Sequence, residues 1–166
     1  MRTKLFLLAA ALLLLGIGGF AVNSSASHLQ EQKEKQLALL TKARGSDLAS
    51  ATRQTVEGYF AALKAKQGWQ SFLADDLVFT SFTSPVKTIE GKAAFLESTK
   101  RFYSSIDSFE VRDVLVDEDK ACVLTRYQLK GPQGNIFRSD VAEVFTTKDN
   151  KISSFSIYFD SAPFPK

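Results

Sequence analysis

Hydrophobic positions follow two different periods along this chain. Between Leu48 and Gly68 they recur at spacings of three and four, which predicts an amphipathic helix with Ser46 or Asp47 as its N-cap. Residues 69–76 keep the helical spacing after Gly68 and predict a second, short helix that ends at two aspartates. The first part of the domain is therefore predicted to be helical.

One strand and one helix are predicted next. Residues 77–83 are rich in β-branched and aromatic side chains, which favours a strand, and Pro85 should stop it because proline lacks a backbone donor. Helical spacing returns after Gly91. The residues that can share one face of this helix are Ala94, Phe95, Ser98 and Phe102.

The rest of the chain alternates with a period of two or forms dense apolar runs, which predicts four long strands joined by turns. The predicted strands are residues 108–117, 120–131, 136–147 and 152–160. Strands that follow helices in this way indicate an α+β fold with a mainly antiparallel sheet.

The N-terminus has the features of an export signal. Arg2 and Lys4 precede an apolar run at residues 5–22, and the small residues that follow it suit a signal peptidase. We interpret residues 1–26 as a signal peptide, 27–45 as a polar helical linker and 46–166 as the folded domain. The alternative is an uncleaved anchor, since about 18 apolar residues are at the lower limit for crossing a bilayer. Both interpretations place the domain outside the cytoplasm, in the periplasm or secreted.

Composition argues against several classes of function. The formal net charge is only +3, part of it from the leader, so no basic surface for nucleic acid is expected. A single histidine, His28, and a single cysteine, Cys122, offer no cluster for a metal, and no cofactor motif is present. The 14 phenylalanines instead suit a packed core or an apolar pocket.

Strand alternation separates the two faces of the predicted sheet. In the third long strand one face carries Glu143 between apolar neighbours, where burial would raise the pKa of its carboxyl. The residues of that face are Phe137, Ser139, Val141, Glu143 and Phe145. If the phenylalanine-rich faces point inward, Glu143 shares the interior with Tyr59 and Tyr127. Asp140 and Asp160 would point inward only in the opposite register.

The order of these elements resembles the nuclear transport factor 2-like superfamily, which includes SnoaL-like cyclases and ketosteroid isomerases. The resemblance covers about residues 48–164 and rests on Tyr59–Phe60, Trp69 with FLADDLVF, Gly91 with KAAF, and the closing NKISSFSIYFD. It implies N-terminal helices packed in the concave face of a curved, mostly antiparallel sheet, with an apolar pocket inside the cone. It also implies dimerisation through the outer face of the sheet.

The resemblance suggests site residues. Tyr59 and Glu143 match the two acid–base donors of ketosteroid isomerase, whereas the position of its base falls near Ser81. No carboxylate lies between Asp76 and Glu90, so the isomerase mechanism itself is not expected. The residues expected to line a ligand pocket are Tyr59, Phe79, Ser81, Phe95, Tyr127, Phe155 and Phe159.

Three functions remain open at this point. The first is an exported domain that binds an apolar small molecule. The second is an acid–base isomerase, cyclase or lyase that uses Tyr59 and Glu143. The third is an interaction module, including a homodimer, that uses the outer sheet face. Fold alone does not choose between them.

Overall fold

A computed structural model describes residues 22–82, 87–131 and 133–159, with side chains from His28 onwards. Residues 1–21 of the predicted signal peptide, Pro85 and Asp160 lie outside the described residues. The chain divides into two units, the first ending at Leu40 and the second beginning at Thr41. In the first unit, residues 28–40 are helical and exposed. The second unit contains the sheet and is described below.

Six strands form a single open sheet in the order β2-β1-β6-β5-β4-β3. Strands β1 and β6 are parallel, and every other neighbouring pair is antiparallel. Two helices and the mostly antiparallel sheet confirm the predicted α+β class. The elements are α1 (Val22–Lys64), a 3-10 helix (Trp69–Phe72), β1 (Leu73–Ser81), β2 (Lys87–Glu90), α2 (Lys92–Ser105), β3 (Ile106–Asp117), β4 (Lys120–Lys130), β5 (Ile136–Lys148) and β6 (Lys151–Phe159).

The prediction of a new helix capped by Ser46 or Asp47 is wrong. Helix α1 runs through Gly45 and both of these residues without a break. One glycine inside a helix costs only about 1 kcal/mol relative to alanine, and the neighbouring residues include several strong helix formers. A glycine followed by a capping residue is therefore not sufficient to end a helix.

The predicted helix at residues 69–76 is confirmed at its start and is wrong in its length. Gly68 adopts a left-handed backbone conformation with φ of 74°, and only a 3-10 turn follows it, from Trp69 to Phe72. Strand β1 begins at Leu73, so Asp75 and Asp76 lie within a strand and not at a helix end. The spacing of the apolar residues fits a single turn and a strand equally well because the segment is short.

Strand β2 was not predicted, and the buried face of α2 differs from expectation. Phe95 is fully buried and Phe102 packs against the core, as predicted. Ala94 and Ser98 are exposed, whereas Leu96 and Tyr103 also pack against the core. The inward face is therefore wider than predicted and is formed mainly by the larger side chains. Larger apolar side chains determine which side of a helix is buried.

The core lies between α1 and the inner face of the sheet. Tyr59 and Phe60 of α1 contact Phe145 of β5 with ring centroids 5.9 Å apart in both pairs. Phe145 in turn stacks on Phe155 of β6 at 4.7 Å. Buried and less buried residues alternate along β4 and β5, which confirms the assignment of their faces. This packing fixes which side chains of β5 point towards the interior.

Candidate functional site

A cavity of about 170 Å³ lies between α2 and the inner face of the sheet. Half of its 14 lining residues are aromatic, and Glu143 is the one charged residue among the described residues that line it. The lining residues are Phe79, Ser81, Phe95, Ser98, Thr99, Phe102, Tyr103, Tyr127, Ser139, Val141, Glu143, Phe155, Ile157 and Phe159. An apolar space with a few polar groups is the usual form of a small-molecule site.

Glu143 is the main polar group of this cavity. It lies in the middle of β5, and strand alternation directs it inward, leaving it 2% exposed. The Tyr127 hydroxyl donates a hydrogen bond of 2.8 Å to Glu143 Oε1. Desolvation raises the pKa of Glu143 to about 7, although the bond from Tyr127 partly opposes this shift. The carboxyl can therefore gain or lose a proton near neutral pH.

Two buried hydroxyl groups on the inner face of the sheet lack a hydrogen-bond partner among the described residues. They are Thr125 Oγ1 and Ser139 Oγ, on neighbouring strands. Thr125 is close enough to Glu143 to lower the pKa of its carboxyl slightly, but without the geometry of a formed hydrogen bond. Ser139 lines the cavity directly and is 3% exposed. A buried hydroxyl without a partner is unfavourable, so a polar ligand group would stabilise it.

Tyr59 is fully buried and does not line the cavity. Its hydroxyl lies 2.7 Å from the hydroxyl of Tyr103, which does line the cavity. The Trp69 ring stacks on Tyr103 at 4.3 Å and holds it in place. Burial is the largest cause that raises the pKa values of Tyr59 and Tyr103, so both phenols keep their protons. Tyr59 thus contacts the cavity-lining Tyr103 without lining the cavity itself, and its phenol also lies near enough to Glu143 to interact with it electrostatically.

The structure brings most of the predicted site residues together. Glu143 and every predicted ligand-binding residue except Tyr59 line the cavity. Ser81 lies where the base of an isomerase was expected, and no second carboxylate lines the cavity among the described residues. Asp140 points away from the cavity, where it forms an ion pair with Arg126 at 2.7 Å.

Of the cavity residues of α2, the predicted helical face contained Phe95, Ser98 and Phe102 but not Thr99 and Tyr103. Thr99 and Tyr103 follow Phe95 at spacings of four and eight, which places all three on one helical face. Counting this spacing from Phe95 could have identified Tyr103. Tyr59 was chosen instead because the resemblance placed a donor on the first helix.

Three observations concern the described residues outside the cavity. The outer face of the sheet exposes the apolar side chains of Leu124 and Tyr158, at 41% and 45%. Within the described ranges, no three histidine, cysteine, aspartate or glutamate side chains come together as a metal site. From Val22 onwards, no described helix is both long enough and apolar enough to span a bilayer.

Solved structures with the same fold include proteins named for enzymes and proteins without an assigned role. A Kribbella flavida protein provisionally named a ketosteroid isomerase is 21% identical, with a TM-score of 0.58 over 71% of this chain and 84% of its own. A Jannaschia protein provisionally named a SnoaL-like polyketide cyclase is 16% identical, with a TM-score of 0.60 over 68% and 88%. A nuclear transport factor 2-like protein of unknown function from Burkholderia pseudomallei is 18% identical, with a TM-score of 0.60 over 68% and 92%. Likeness at this level of identity shows the fold alone.

Sequence comparison identifies the family. No curated protein matches this chain. The family model described as the SnoaL-like domain matches residues 56–155, which is more than half of the chain. This range contains Glu143 and all the lining residues of the cavity except Ile157 and Phe159. The chain therefore belongs to the SnoaL-like family.

Proposed function

We propose that this domain binds a small, mainly apolar molecule in the cavity between α2 and the sheet, with Glu143 as the polar anchor. The observation that carries the proposal is a buried carboxyl inside an aromatic cavity, with one hydrogen bond from Tyr127 and an unpartnered hydroxyl at Ser139 on the same wall. A polar group in an apolar interior is costly without a partner. A ligand that meets these groups would offset that cost.

The size of the cavity restricts the ligand. At about 170 Å³ it is smaller than the range of roughly 300–1,000 Å³ that is usual for drug-sized ligands. It is close to an engineered apolar cavity of roughly 150 Å³ that binds benzene. A molecule of about one ring with one or two polar groups therefore fits this space.

Filling the cavity should abolish binding. We expect Ser139→Leu to weaken the binding of benzyl alcohol at least about tenfold, because the larger side chain occupies the cavity and removes the free hydroxyl. Ligand-observed NMR on the purified domain measures the affinity. The matched control is Ala142→Leu on the same strand, which faces the opposite side of the sheet and does not line the cavity. Equal binding by both folded variants would contradict the proposal.

Acid–base catalysis is the second candidate function. It is favoured by the pKa of Glu143, which lies near 7, where a carboxyl can act as acid or base at neutral pH. Tyr127 and Tyr103 would act as hydrogen-bond donors beside it. Because a second carboxylate is lacking among the described lining residues, the reaction would need to proceed with a single titrating group.

The site of action is proposed to be outside the cytoplasm. Arg2, Lys4 and the apolar run at residues 5–22 support export, and the small residues at 24–26 support cleavage before Ser27. Mass spectrometry of the protein from its native cells should find a mature chain that begins near Ser27. A chain that still begins at Met1 would contradict cleavage and favour the anchored form.

A further inference from the structure

The seven aromatic rings of the cavity surround a space that contains one acidic group and, among the described lining residues, no basic one. The rings meet at steep angles, such as 64° between Phe79 and Phe155 and 68° between Phe102 and Tyr127. The rings therefore line the space in several different orientations. Ring faces carry partial negative charge and attract cations.

Among the described residues, Glu143 has no positively charged partner. The causes that shift the pKa of this carboxyl are burial and neighbouring hydroxyls, with no contribution from a described lysine, arginine or histidine. A buried carboxylate is stabilised when a cation and further hydrogen bonds accompany it. The cavity therefore provides two attractions for a positive charge, the carboxylate and the aromatic lining, and its described lining residues supply no positive charge.

We propose that the ligand of this cavity is a small organic cation, a protonated amine that carries an apolar body of about one ring. The ammonium group pairs with Glu143, and the apolar body lies among the phenylalanine rings. This inference rests on the proposed small-molecule function and names its ligand class.

The protonation state of Glu143 determines the pH values at which the proposal is tested. The other titratable groups that face it are Tyr59 from α1, Tyr103 from α2 and Tyr127 from β4, and burial raises the pKa values of all three phenols. Between pH 6 and pH 8 these phenols stay neutral, and Glu143 is the group among them that titrates. The carboxyl is ionised at pH 8 and largely protonated at pH 6, so a cation should be preferred more strongly at the higher pH.

The experiment compares benzylammonium with its neutral counterpart benzyl alcohol on the whole mature protein, by titration calorimetry at pH 8 and pH 6. We expect wild type to bind benzylammonium at least about tenfold more tightly than benzyl alcohol at pH 8, with a smaller ratio at pH 6. In Glu143→Gln the ratio at pH 8 should fall to about one. The matched control is Glu110→Gln, which removes one negative charge from an exposed position on β3 and should keep the wild-type ratio.

Three outcomes would contradict the proposal, and they show whether the cation inference alone or the proposed function as well is wrong. If benzyl alcohol binds wild type as tightly as benzylammonium, the cation inference is overturned and the proposed small-molecule function stands. A preference for benzylammonium that persists in Glu143→Gln also overturns it, because the charge would then be recognised elsewhere. If neither probe binds wild type, the proposed function fails, and this inference fails with it.

Discussion

Replacing Phe145 with alanine should lower the free energy of unfolding by about 3–5 kcal/mol, the usual cost of removing a buried aromatic ring. Phe145 is fully buried, stacks on Phe155 at 4.7 Å and contacts both Tyr59 and Phe60. It joins α1 to two strands of the sheet, so its loss leaves a cavity that no single neighbour can fill. Urea denaturation followed by circular dichroism measures the change.

Leu124→Ala is the matched control for this prediction. Leu124 lies on β4, on the outer face of the sheet, and is 41% exposed. Its truncation should cost less than about 1 kcal/mol because much of the removed side chain is already exposed to water in the folded state. Similar losses in the two variants would contradict the placement of the core between α1 and the inner face.

Stability should fall by about 3 kcal/mol as the pH rises from below 4.5 to above 7, because of Glu143. The pKa of this carboxyl is about 7 in the folded protein and has an ordinary value of 4.5, and each unit corresponds to about 1.36 kcal/mol. The folded state binds the proton more tightly than the unfolded chain, so the stabilisation is complete below pH 4.5 and is lost as the pH rises through 7. The unfolding free energy of Glu143→Gln should lack this component.

The pH dependence is read as the difference between wild type and Glu143→Gln, measured by urea denaturation from pH 4 to pH 8. Ion pairs with Lys130 and Arg126 lower the pKa values of Asp107 and Asp140, so these groups titrate at more acidic pH and are common to both proteins. Glu110→Gln should follow the wild-type curve. Parallel curves for wild type and Glu143→Gln would show that the carboxyl is not desolvated as described.

The four long strands were predicted correctly, whereas β2, the start of β1 and the start of the first helix were not. Alternation in β5 identified Glu143 and Ser139 as inward residues, because a period of two leaves only two possible faces and the apolar face must be buried. Helix boundaries at Gly45 and Gly68 depended on small differences in backbone preference. The helix continued through the first glycine and ended near the second.

Of the predicted tyrosines, Tyr127 lines the cavity as expected and Tyr59 does not. Tyr127 was identified because it shares a strand face with other inward residues. Tyr59 was expected to line the cavity, but its hydrogen-bond partner Tyr103 of α2 lines it instead. The sequence pattern around each tyrosine does not show which of the two lines the cavity, because that depends on how the two helices pack.

The one-dimensional pattern of apolar residues was enough to establish the α+β class, the four long strands and the inward direction of Glu143. Each of these follows from the need to remove apolar side chains from water on one face of a regular element. The hydrogen bond from Tyr127 arises when β4 pairs with β5, and the volume of the cavity and the raised pKa of the carboxyl arise when the helices pack across the sheet. These properties depend on distances between residues that are remote in the chain, and desolvation in particular exists only once that packing has excluded water.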